Sequence, residues 1–398
     1  MRDSLQFNIK YLILALIPGG MIFGPIPFNP ILYYIFLGIL AILSISGSRR
    51  TNLLPIILII AGALSIIIGH PASVFKSWSR LGLFALLLLG VFPIFDSPKI
   101  QTVRNKLFIS TVWLCAFIGV SGVFCYFAGI NYSSSPFHDT SEMLDMAGLF
   151  AGLSKHSMML GPCGAIGIVF CSWLSNKTHN KFFKYTCWIC AFLCLLTTFL
   201  SASRGATLGG IIGFTTYIYI LNKGKFSKII GIGIILIGIF ALISPSLERF
   251  TQPLMNKQEH NEEEGGMLYS RQSKWNNRIS EFKSSPIFGV GFAAMDTKNK
   301  GDYDNYTGTT ETGSSWLALL SMTGLIGFSI FCSIFFPIVR LLKTKALKTR
   351  TSGEAALLLP LVAIFFTTMF TEGYVLAGGS FFCYFFWLLL GVSYSETH

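Results

Sequence analysis

The sequence predicts an all-α polytopic membrane protein of about twelve transmembrane helices, with one long, partly helical outer loop. Three observations carry that prediction. Only 12% of the 398 residues are charged, against about 25% in soluble domains. Hydrophobic residues make up 52% and aromatic residues 15%. Apolar stretches long enough to cross a bilayer core recur along the chain, at 8–27, 30–46, 53–69, 81–97, 107–129, 157–174, 184–201, 205–221, 229–244, 315–339, 355–371 and 377–394.

Each stretch is read as a span on the same ground. The first is too long, and too poor in a small-residue cleavage site, for a removable signal, so it too reads as a membrane helix. The spans divide the chain into 1–243 with nine helices, a loop over 244–314, and 315–398 with three more. All nine cysteines fall within spans, so no disulfide framework is implied. Cys187 and Cys190 form a CxxC inside an apolar run with no second pair or histidine nearby, which reads as core thiols.

Twelve spans put both termini on one side. The short segments on that side hold eighteen of the 30 basic residues, among them Arg49, Lys99, Arg104, Lys181, Lys223 and Arg340. Short basic loops stay in the cytoplasm, so the termini are expected there. The net charge of +12 is therefore an orientation signal and does not indicate nucleic acid. Two loops of substance then face outward, 131–156 and 244–314, together with the seam at Ser201–Arg204.

That seam, "LSASRGATLGG", holds a guanidinium between two apolar runs. An arginine at mid-bilayer costs roughly 2.5–3.5 kcal/mol on insertion scales. At a helix end it can snorkel, which is the plain reading of Arg204. The neighbourhood favours a second reading. Ser201, Ser203, Gly205, Gly209 and Gly210 are small, permitting close packing and leaving room for a ligand. A fixed cation beside such a gap is a seat for an anion.

The long loop carries "MLYSRQSKWNNRISEFKSSPIFGVGF". Arg271, Trp275, Arg278 and Phe282 recur at i, i+4, i+7 and i+11, one face of a helix, which Ser284–Ser285–Pro286 ends. The two guanidiniums stand about 10 Å apart by helical rise and would act together on a polyanion. Equally, the stripe fits an interfacial helix lying on lipid headgroups. Two outward carboxylates complete the set. Glu311 precedes the tenth span, and Glu372 lies at the outer end of the next stretch; each reads as a base for a hydroxyl, as an arginine counter-ion, or as loop solvation. Glu262–Glu264 reads as a solvated run. Asp296, Asp302 and Asp304 do not form a calcium loop, because Lys298 and Lys300 occupy positions that need acids.

The seam "SRG", the R-x-x-x-W of the long loop, the following "SPIFGVGF" and the span "WLALLSMTGLIGF" together resemble the O-antigen ligase/O-antigen polymerase superfamily. "GLSKHSMMLGPCGA" adds weaker likeness, and the resemblance covers roughly 150–375. It implies a GT-C-like membrane glycosyltransferase, with neither nucleotide sugar nor metal. Glycan units would be carried on undecaprenyl pyrophosphate and joined at the periplasmic face of the inner membrane. The superfamily's essential arginines fall on Arg204 and Arg271, as groups that bind the donor pyrophosphate. Arg278, inferred from the helix face alone, and Arg80, at the outer start of the fourth span, are further phosphate contacts.

One departure separates this chain from the ligases of that superfamily. They carry a His-Asn pair just before the span equivalent to 315–339, whereas here the stretch reads Glu311-Thr312-Gly313-Ser314-Ser315. The outward histidines His156 and His260 are out of register. This tilts the expectation toward a polymerase in which Glu311 activates the acceptor, with ligation of glycan to lipid A-core as the alternative. A lipid-linked donor and acceptor are the expected partners, with a chain-length regulator as a further one. Twelve spans also fit a polysaccharide transporter, but neither paired halves nor broken mid-membrane helices are evident. No motif of the shape-and-division peptidoglycan glycosyltransferases stands out.

Overall fold

The computed structural model describes residues 8–46, 50–133, 150–223, 269–299, 302–350 and 353–397. Their helices are α1 (Ile9–Gly19), α2 (Pro30–Ser46), α3 (Leu54–Gly69), α4 (Ser77–Val91), α5 (Pro98–Ala128), α6 (Ser157–Lys177), α7 (Lys181–Leu200), α8 (Arg204–Leu221), α9 (Tyr269–Ser284), α10 (Ser315–Thr349), α11 (Ala355–Thr368) and α12 (Phe381–Thr397). A two-residue antiparallel ladder pairs β1 (Arg50–Thr51) with β2 (Phe95–Asp96). Helices occupy eleven of the twelve expected spans; the ninth, 229–244, lies outside the described residues, as does Glu262–Glu264. Among the described residues five helical segments are long and apolar enough to cross a membrane, and four shorter ones are apolar.

Two elements differ from expectation. Helix α1 stops at Gly19, well short of residue 27, because Pro18, Gly19 and Gly20 end it. The chain then folds back, with Gly24 N–H donating to Leu153 O (2.7 Å) and Lys155 Nζ to Gly20 O (2.6 Å). Helix α5 begins at Pro98, nine residues before its expected start, with Ser97 as N-cap. Arg104 is thereby a buried helical residue, 1% exposed, and not a loop charge. Its guanidinium donates to Gly90 O, Asp96 Oδ1, Ser44 Oγ, Phe92 O and Phe95 O.

Small residues set the bundle's inner contacts. A side chain at Gly164 or Gly167 of α6 would run into Thr198 or Cys194 of α7, and one at Gly213 of α8 into Ile364 of α11. Such close backbone approach is how helices associate where hydrophobicity offers no driving force.

Helix α10 is broken at Gly324, whose φ of 65° and ψ of −168° are not helical. The "SPIFGVGF" segment fills the break. Leu325 N–H donates to Pro286 O (2.9 Å), and Val290 N–H donates to Ser321 O (2.8 Å). A break inside an apolar span is tolerated only where protein supplies the missing partners, and this segment supplies them. It also fixes α9 against the start of α10, which positions the site.

Candidate active site

Helix α9 is built by the stripe read from the sequence, and its far end falls at Ser284, the residue that opens the expected stop. The stripe turns toward the protein. Trp275 Nε1 donates to Gly313 O (3.1 Å), tying the middle of α9 to the turn before α10. Gly313 has φ +67°, and an added methyl there would lie 3.0 Å from Lys274 Cβ. Glycine is what lets the turn approach the helix so closely.

Docked in this way, Arg271 meets both outward carboxylates. Its Nη2 lies 2.9 Å from Glu372 Oε1, and its Nη1 lies 3.9 Å from Glu311 Oε1. Lys274, one turn along, pairs with Glu311. Arg271 retains 19% of its side-chain exposure, Glu372 27% and Glu311 57%, so the cluster is partly shielded yet open to a ligand from the Glu311 side. Ser315 holds Glu372 in register. Its Oγ donates to Glu372 O (2.6 Å) and accepts from Tyr374 N–H (3.1 Å). Gly373 packs so tightly on Thr312 that any side chain there would collide with the threonine hydroxyl.

Arg204 is the first residue of α8, which begins after Ser203. The adjoining Gly205 lies against Thr371, the residue before Glu372, and a side chain at Gly205 would strike its hydroxyl. On the other side, a methyl at Gly161 would meet Ser201 Oγ at 2.7 Å and Ser203 Cβ at 2.8 Å. The small residues around Arg204 thus pack α8 closely against both α6 and the 371–373 turn. The same contact brings the Arg204–Gly205 turn beside the segment that holds Arg271 through Glu372.

Two expected phosphate contacts have protein partners of their own. Arg278 is 0% exposed, with Nη2 at 2.7 Å from Glu281 Oε1 and 3.5 Å from Asp302 Oδ2. The pairing is close without being aligned for a hydrogen bond. Burial lowers the Arg278 pKa and raises that of Glu281, while each charge opposes the other's shift. Two turns beyond Arg271 the helix face meets Asp296 and Asp302: Asp296 N–H donates to Glu281 Oε1 (2.8 Å), and Asp302 faces Arg278. Arg278 and Glu281 therefore tie Asp302 and Asp296 to α9. Arg80 donates to Thr307 O (3.2 Å) and braces the loop after it. The three aspartates serve local ends: Asp296 caps Lys298 N–H, Asp302 accepts from Asn277 Nδ2, and Asp304 accepts from Tyr306 N–H and Thr307 Oγ1.

Sequence reasoning missed Lys274 and Glu281. Lys274 stands three residues past Arg271 and Glu281 three past Arg278, and helical neighbours at that spacing are the signal available. Chemically, the cluster holds fixed cations whose charge is balanced by two carboxylates in a partly dry setting. An incoming dianion could take the place of Glu372 on Arg271 without moving the cations, and preorganised charge of this kind stabilises a leaving group as it gains electrons.

A family model described as O-antigen ligase matches residues 189–332, just over a third of the chain. No curated protein matches the chain significantly. The matched segment contains Arg204, Arg271 and Glu311 and ends beyond the break in α10, while Glu372 lies outside it. With its succession of apolar helices, the chain is a multi-pass membrane protein, and the match over 189–332 supports its assignment to the O-antigen ligase/O-antigen polymerase superfamily of glycosyl-transfer enzymes.

Proposed function

We propose that the protein polymerises undecaprenyl-pyrophosphate-linked repeat units of O-antigen or a related surface polysaccharide at the periplasmic face of the inner membrane. The single observation that carries this reading is the Arg271–Glu372 pair seated beside the first turn of α8, where Arg204 lies. In the proposed reaction an acceptor hydroxyl attacks the anomeric carbon of the donor. The bond from that carbon to the diphosphate breaks, and its electron pair leaves with the diphosphate. Arg204 and Arg271 take up the charge, since a guanidinium fork pairs with phosphate through two parallel hydrogen bonds. Glu311, the more exposed carboxylate, receives the acceptor proton, and Glu372 holds Arg271 in place until the donor arrives. The basic loops orient both termini to the cytoplasm, which turns this face outward.

Ligation of the glycan to lipid A-core is the second reading, favoured by the description of the matched family. A deletion strain examined by lipopolysaccharide gel separates the two. Loss of the ladder with one repeat unit still attached to the core is the expected result. Loss of all O-antigen from the core, with lipid-linked polymer accumulating, would make the protein a ligase. Carrier trapped on the cytoplasmic side would make it a transporter and overturn both.

A further inference from the structure

The loop from Asp302 to Glu311 is bound almost entirely to itself and its neighbours. Asp304 N–H donates to Thr309 O (3.0 Å), Gly308 N–H to Asp304 O (2.7 Å) and Glu311 N–H to Asp302 O (2.8 Å). Asp304 Oδ1 accepts from Tyr306 N–H (2.8 Å), and its Oδ2 accepts from Thr307 Oγ1 (2.7 Å). Tyr303 packs edge-on against Phe75 with ring centroids 5.1 Å apart, and Arg80 grips Thr307 O. Gly308, at φ +65°, sits so close to Val74 that no side chain would fit. From this immobilised loop one large ring projects: Tyr306 is 94% exposed.

We infer that Tyr306 is the stacking platform of an oligosaccharide subsite, which receives a pyranose ring of the glycan whose reacting end lies at Glu311. This rests on the glycosyl-transfer reading and names a place where that substrate is held. A rigid aromatic ring offers broad contact area at small conformational cost. The groups around it, Asp304, Asn305, Thr307 and Thr309, are hydrogen-bonding ones suited to sugar hydroxyls. The same polarity argues against a lipid anchor. Hydrogen bonds from Thr307 and then Tyr306 hold the Asp304 carboxyl below its usual range, so the loop tip carries a carboxylate that would resist entry among headgroups. Covalent continuity places the platform five residues before Glu311, and Asp302, at the loop's start, is pinned to Asn277 of α9 (2.8 Å).

The test uses the purified full-length chain in nanodiscs of neutral lipid. The probe is the source strain's own surface polysaccharide, released from lipid by mild acid and digested to single repeat units. Tyr306→Ala should weaken its binding about two- to tenfold, the worth of one aromatic stack, and Tyr306→Trp should restore it. Undecaprenyl diphosphate without sugar should bind Tyr306→Ala and wild type alike and lose affinity in Arg271→Ala. Glycan binding equal in Tyr306→Ala and wild type, or absent from wild type, would overturn the subsite. So would loss in Tyr306→Ala of binding to anionic vesicles alone. Tyr306-dependent glycan binding by a chain that transfers no sugar would sink the transferase and leave the subsite standing; active transfer with glycan binding indifferent to Tyr306 would do the reverse.

Discussion

Arg271 and Glu372 stand 101 residues apart in sequence and 2.9 Å apart in space, a guanidinium on α9 facing a carboxylate on the turn after α11. A diphosphate approaching Arg271 has to displace that carboxylate. Glu372→Gln removes the competing charge and keeps the side chain's shape. It should bind undecaprenyl diphosphate more tightly than wild type, by a few-fold at low salt, because the coupling of a partly exposed pair is about 1 kcal/mol or less. Isothermal titration on detergent-solubilised protein reads this directly, and weaker binding would mean that Glu372 helps to hold the ligand.

If the guanidiniums bind diphosphate through paired hydrogen bonds, charge alone will not replace them. Arg204→Lys and Arg271→Lys should each lower glycosyl transfer at least about tenfold, and the alanine variants about 10²–10³-fold. The measurement is polymer formation per unit of protein in membranes, normalised to immunoblotted protein. Near-wild-type activity in both lysine variants would contradict bidentate binding.

Glu311 is paired with Lys274 and stands at the open side of the Arg271 cluster, where an acceptor hydroxyl can reach it. Glu311→Gln should slow transfer by about 10²–10⁴, the usual worth of a positioned acid–base group, with little change in diphosphate binding. An unaltered chain-length ladder in the Glu311→Gln strain would remove this residue from the chemistry.

What the sequence made legible follows from what periodicity can report. The helix of α9 and its end at Ser284 were readable, because Arg271, Trp275, Arg278 and Phe282 repeat at helical spacing on one face. A counter-ion role for Glu311 and Glu372 was one of three open readings, since helical period cannot say which distant carboxylate meets which arginine. The bundle helices are apolar on all sides, so hydropathy located them without saying which residues face inward. Arg104 shows the consequence: counted among loop charges, it is buried with five acceptors drawn from residues 44, 90, 92, 95 and 96. Arg278 shows another, since i, i+7 spacing from Arg271 fixed its face but not its burial against Glu281 and Asp302. The break in α10 was hidden as well, because "SMTGLIGF" reads as continuous apolar helix.

That break offers a stability test. At Gly324 the backbone lies in a region open essentially to glycine, and a methyl would press on Ile287 O. Gly324→Ala should destabilise the protein by about 1–3 kcal/mol, seen as a lower unfolding temperature in detergent. Gly38, in α2 with nothing within 4 Å of an added methyl, is the control. There alanine should be neutral or stabilising by up to about 1 kcal/mol. Equal behaviour of the two variants would mean that the 285–292 segment does not depend on the break.

The Arg278–Glu281 pair permits a sharper separation of structure from catalysis. Both side chains are buried, at 0% and 1% exposure, so removing one leaves the other charged in a poor solvent. Glu281→Ala should destabilise the protein by about 3–5 kcal/mol, whereas breaking the exposed Lys274–Glu311 pair should cost about 1 kcal/mol at most. The double variant Arg278→Met/Glu281→Leu removes both charges and preserves bulk, and it should recover most of the lost stability. Because Arg278 is buried against Glu281 and Asp302, the double variant should also retain polymer formation once its folded amount is matched to wild type. If it folds normally but makes no polymer, Arg278 touches the substrate after all, and the division of the α9 stripe into a binding half and a stapling half is wrong.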